Sequence, residues 1–143
     1  MPRCTWLLAF ALLGCADDEC TLIGCDDTSV VSFPPGLVVG PYDLVIDAEV
    51  GQITARCLQP AAPEAADNPP ELDCDREGFT ITGGDFARMR ELQVTVIDVA
   101  NEETLASATV PADVVDEQSP NGPECPPTCF VRNGALQATP APD

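Results

Sequence analysis

From Tyr42 to Cys57 the apolar residues fall on every second position. Tyr42, Leu44, Ile46 and Ala48 alternate with Asp43, Val45, Asp47 and Glu49; beyond Val50-Gly51, Ile53, Ala55 and Cys57 alternate with Thr54 and Arg56. A period of two sends successive side chains to opposite faces of an extended chain, so this stretch predicts a β-hairpin with one buried face. The pattern recurs. Ser29 to Phe33 is a β-branched run stopped by Pro34-Pro35-Gly36, Phe79 to Thr82 ends at Gly83-Gly84, and Leu92, Val94 and Val96 alternate with Gln93 and Thr95. Asn101 to Glu103 form a turn signal, Leu105 to Val110 return, and Phe130 to Leu136 supply a last strand. Helix signals are few: Asp85 to Leu92 has room for one or two turns with Asp85 as N-cap, and Val114-Val115 reads as a helical turn or a short strand. About seven short strands punctuated by Pro and Gly predict an all-β fold, an antiparallel β-sandwich.

The N-terminus reads as an address. Arg3 is followed by the apolar run Trp6 to Leu13, too short to cross a bilayer but suited to a signal peptide. Leu12-Leu13-Gly14-Cys15 then resembles the lipobox of bacterial lipoproteins. The resemblance implies a signal peptide over residues 1–14, cleavage after Gly14 and lipid on Cys15, and hence a membrane partner through that anchor. Two or more acyl chains anchor a protein stably. Ala16 follows in place of the Asp that retains enteric lipoproteins at the inner membrane, which favours the outer membrane within the cell envelope. Residues 15–19, with Asp17, Asp18 and Glu19, read as an acidic tether; residues 20–137 as a single domain; residues 138–143 as a flexible tail.

With Cys4 in the signal peptide and Cys15 on the lipid, Cys20, Cys25, Cys57, Cys74, Cys125 and Cys129 remain. An even number in an oxidising compartment predicts three disulfides; the spacing Cys125-Pro-Pro-Thr-Cys129 is not that of a zinc knuckle. Cys57–Cys74 would close the proline-rich loop 59–73. If the strands after Cys25 and before the C-terminus run parallel at a sandwich edge, Cys25–Cys129 and Cys20–Cys125 would clasp the two ends of the domain. Local Cys20–Cys25 and Cys125–Cys129 bridges are the alternative.

The Leu92–Val99 and Leu105–Val110 pair resembles the strand-turn-strand of immunoglobulin-like and transthyretin-like modules, a likeness of fold that carries no function. Pro120 to Cys129, together with the lipobox, Gly24-Cys25 and a mid-chain Cys pair, resembles small envelope lipoproteins of high-GC bacteria without assigned activity.

Composition limits the chemistry. The chain has no His and no Lys, and its formal net charge is -18. Imidazole-based catalysis and metal ligation, Schiff bases and P-loops are excluded, and so strong a negative charge excludes nucleic acid as a partner. Asp27-Thr28-Ser29 resembles the Asp-Thr-Gly/Ser of aspartic proteases, but that chemistry needs a second copy or a homodimer, and the sequence holds no second copy. Asp73, Asp75 and Glu77 ahead of Gly78 resemble half of an EF-hand loop; Gly84 stands where the bidentate Glu belongs, leaving at most a weak Ca²⁺ site. Asp26 and Asp27 are a second acidic pair of this kind, read as solvated loop acids. Gly83-Gly84-Asp85-Phe86 resembles the diguanylate cyclase turn with one acid missing, and reads as a turn. The residue types allow a carboxylate-based hydrolase acting on envelope glycans, the alternative reading, though nothing marks two particular acids for it. The expectation is a non-catalytic binding or structural module with no cofactor, meeting an envelope protein or glycan.

Overall fold

The computed structural model describes residues 23–59 and 71–137. Among the described residues nine strands form: β1 (Thr28–Ser32), β2 (Tyr42–Ala48), β3 (Gly51–Cys57), β4 (Leu72–Cys74), β5 (Gly78–Thr82), β6 (Glu91–Asp98), β7 (Thr104–Pro111), β8 (Asp113–Gln118) and β9 (Cys129–Ala135). They build a five-stranded sheet in the order β4-β5-β1-β9-β8 and a four-stranded sheet in the order β3-β2-β6-β7. All the pairings are antiparallel except β1 with β9. The inner faces share one core. Tyr42, Leu44, Ile46, Leu92, Val94 and Val96 of the smaller sheet meet Val31, Phe79, Ile81 and Leu72 of the larger.

The period of two explains this packing. Along β2 Tyr42, Leu44 and Ile46 are buried and the residues between them face outward, and β6 repeats the pattern in register, Leu44 opposite Val96 and Ile46 opposite Val94. Each fully buried Leu, Ile or Val contributes about 1.5–3 kcal/mol. Phe33 lies edge-on to Tyr42 and Phe79, a favoured aromatic geometry. The Tyr42 hydroxyl donates to the Asp75 carbonyl at 2.7 Å, and burial pushes its pKa well above the usual tyrosine value. Gly78 at the start of β5 has φ +151°, and a Cβ there would collide with the Val31 carbonyl. Only glycine fits where β5 comes this close to β1.

The strand count is nine, above the seven or so read from the pattern. β4 and β8 are the additions. β4 falls at the end of the span read as the proline-rich loop 59–73, so that loop is shorter than expected; residues 60–70 lie outside the described residues. β8 contains Val114-Val115 and is exposed at every position, so it has no alternation to betray it. The helical reading of Asp85–Leu92 is corrected to a single 3₁₀ turn, Phe86–Arg88: Asp85 makes no side-chain cap, and Leu92 already belongs to β6. The parallel pair β1/β9 sits inside the larger sheet and not at its edge, because β5 and β8 flank it.

Candidate functional site

Disulfides secure both ends of the larger sheet. Cys25, just before β1, is bonded to Cys129 at the start of β9, and the parallel register that pairs Thr28 with Val131 brings the two together. At the other end Cys57 of β3 is bonded to Cys74 of β4, linking the two sheets. Cys125 is also disulfide-bonded; since the other four described cysteines pair among themselves, its partner is outside the described residues, as are Cys15 and Cys20.

Between the sheets, near the Cys25–Cys129 end, lies a polar group of side chains. Asp27 is 9% exposed, which corrects its reading as a solvated loop acid. Its Oδ1 accepts the Phe130 amide at 2.8 Å and its Oδ2 accepts Arg88 Nε at 2.6 Å. Burial pushes the carboxyl pKa up, but the Phe130 amide, the Arg88 hydrogen bond and the charges of Arg88 and Arg132 outweigh it and hold the group below its ordinary 3.8. Arg88, largely exposed, is raised in turn, chiefly by its hydrogen bond to Asp27. Arg132 projects from β9 into the interior. Its guanidinium lies 5.6 Å from the Phe130 ring centre and donates to the Ala87 carbonyl at 3.4 Å, while Nε has no partner. The 3₁₀ turn thus closes this end of the core, with Ala87 fully buried.

This arrangement fixes charge. The groups that shift the Asp27 carboxyl are an amide and two guanidinium groups, with no carboxylate among them. Proton sharing of the aspartic-protease kind needs two carboxylates in contact, so Asp27 here serves as a strut between β1, β9 and the 3₁₀ turn. Ser29, opposite Arg132 in the β1/β9 register, is fully buried and its Oγ makes no hydrogen bond. A buried hydroxyl without a partner costs about 1–3 kcal/mol. Ser29→Ala is therefore expected to leave the fold intact and raise the unfolding free energy measured in urea; a fall of more than about 1 kcal/mol would show that the hydroxyl is engaged.

The acids read as calcium candidates are not gathered into a site. Asp75 Oδ1 already accepts the amides of Glu77 at 2.7 Å and Gly78 at 3.0 Å, forming a turn within its own loop. Asp73 lies on β4, and the hollow of about 190 Å³ beside it is bordered by Asp73, Asp75 and Glu77 together with Val30, Ser32 and Thr80. Among the described residues no three acids or cysteines stand close enough to hold a metal ion. Gly83 and Gly84 both adopt positive φ, and the Gly83 amide donates to the Asp27 carbonyl, so this turn ties β5 to β1. On the outer face of the smaller sheet, a wider hollow of about 670 Å³ sets Arg88 and Arg90 against Asp47, Glu49, Glu91 and Asp113. Sequence reading passed over Asp27 as a strut because its partners, Arg88 and Phe130, are 61 and 103 residues away. Comparison with known protein families, curated proteins and solved structures found no match.

Proposed function

We propose that this chain is a lipid-anchored protein of the cell envelope, held by Cys15, which acts as a non-catalytic binding or structural module. The single observation that best supports the reading is the use made of the buried charges: Asp27 holds the start of β9, and Arg132 ties β9 to the 3₁₀ turn. A frame bonded at both ends, carrying a strongly acidic surface, suits recognition by shape and main-chain pairing. The anchor and the binding role have separate tests. Cells fed a labelled fatty acid should acylate the wild-type chain, and Cys15→Ser should abolish the label and release the protein from the membrane pellet. Unchanged labelling of Cys15→Ser would overturn the anchor. Cross-linking in intact cells should capture a reproducible partner of the wild-type chain; capture of none would overturn the binding role.

A further inference from the structure

Four strands end the two sheets, and three are protected. β8 carries three acids in six residues, β4 has only three residues including Asp73, and β3 carries Arg56 in an ion pair with Asp43. Exposed sheet edges invite pairing with other chains, and native proteins blunt them with charge, brevity, proline or bulges. β7 is different. Its eight residues, Thr104–Pro111, carry no charge, and proline appears only at the last position. A register shift near Val96/Ile97 disturbs its start and leaves Ala106 to Pro111 regular.

Beside this edge runs a groove of about 450 Å³ with Ala108, Thr109 and Pro111 on one wall and Asn133, Gly134 and Ala135 on the other. Gly134 shapes its floor: a Cβ there would lie 2.7 Å from the Pro111 carbonyl, so its absence lets the sheets approach. The β8/β9 ladder stops at Asn133, so Gly134 and Ala135 pair only with β1. Two unpaired lengths of strand backbone thus border one groove among small side chains. Acids flank β7 on both sides: Glu102 and Glu103 precede it in the chain, and Asp113, which lines the groove, follows it.

We propose that this groove receives an extended segment of a partner protein, paired through its main chain with β7 over Ala106–Thr109, with small uncharged residues at its centre and Lys or Arg at both ends. The proposal rests on the binding-module reading and names its surface. Charge selects the occupant. A second copy pairing antiparallel through β7 would set Glu102 and Glu103 of one chain against Asp113 of the other, and like charges across a ladder repel. A segment basic at both ends, laid along β7, meets the acids that flank that strand on both sides.

Amide exchange of the folded protein tests this with a synthetic probe, the decapeptide Lys-Arg-Thr-Val-Ser-Ala-Thr-Val-Arg-Lys. Those β7 amides that point away from β6 should exchange freely in the protein alone and slow at least roughly tenfold with the peptide. The same peptide with Glu at its four end positions should have no effect. Ala135→Lys, at an exposed position on the groove wall, should weaken binding of the basic peptide by roughly tenfold or more, measured with the fold intact. Equal response to the acidic peptide, protection of β8 in place of β7, or β7 protection that rises with protein concentration in the absence of peptide would each overturn the proposal; the last would make the occupant a second copy. A partner captured in cells but cross-linked away from β7 would overturn the edge and leave the binding-module reading standing.

Discussion

Replacing Cys20, Cys25, Cys125 and Cys129 together by alanine is expected to cost at least about 4.7 kcal/mol and to leave the chain largely unfolded at 37 °C. The Cys25–Cys129 bridge spans 104 residues, and loop-closure entropy grows with the logarithm of the loop. Domains of this size are stable by only about 5–15 kcal/mol, so the loss approaches the whole margin. The smaller Cys57–Cys74 loop, 17 residues apart, should cost about 3 kcal/mol when both cysteines become alanine. A finer result tests the pairing of Cys125. If Cys125 is bonded to Cys20, a chain lacking only Cys25 and Cys129 keeps its two ends joined, and the remaining loop is about nine residues round. Its loss should then be only about 2.6 kcal/mol. Urea midpoints for the three variants, measured without reductant, decide the matter. A cost near 4.7 kcal/mol for the Cys25/Cys129 pair alone would exclude Cys20 as the partner of Cys125.

What was legible in the sequence follows from where the physics is local. β2, β3 and β6 could be read from the chain because burial of one face writes a period of two into the residues, as in Tyr42, Leu44 and Ile46. The Cys25–Cys129 bridge was one of two arrangements the sequence left open, and the parallel start of β1 beside β9, which brings their leading cysteines together, decides between them. β8 left no such mark. Both its faces are exposed, so its existence depends on hydrogen bonds to β9 and not on its own side chains. The short β4 forms only because β5 offers an edge, with Leu72 opposite Ile81. Asp27 illustrates the same limit at the level of a site. In the sequence it is one acid beside Asp26; its burial is decided by a 3₁₀ turn and a strand distant in the chain. Local patterning reports which face is buried, and it is silent on which polar side chain the assembled sheets enclose.

Asp27→Ala is expected to destabilise the fold by about 1–3 kcal/mol, more than any exposed acid, because it removes a buried carboxylate that accepts Arg88 Nε at 2.6 Å. It also strips the Phe130 amide of its acceptor at the start of β9. Arg88→Ala should cost clearly less, since Arg88 is 66% exposed and water takes its place on the carboxylate. The pH dependence follows from the depressed pKa of Asp27. In the unfolded chain the carboxyl binds its proton near 3.8, and in the folded chain only at lower pH. The stabilisation is therefore complete well above 3.8 and fades as pH falls below it through the folded value. The stability gap between wild type and Asp27→Asn, taken from urea unfolding across that range, should shrink steadily with acid. A gap that stayed constant would mean that Asp27 holds its place by shape and hydrogen bonding alone, and that its charge plays no part in joining β1 to β9.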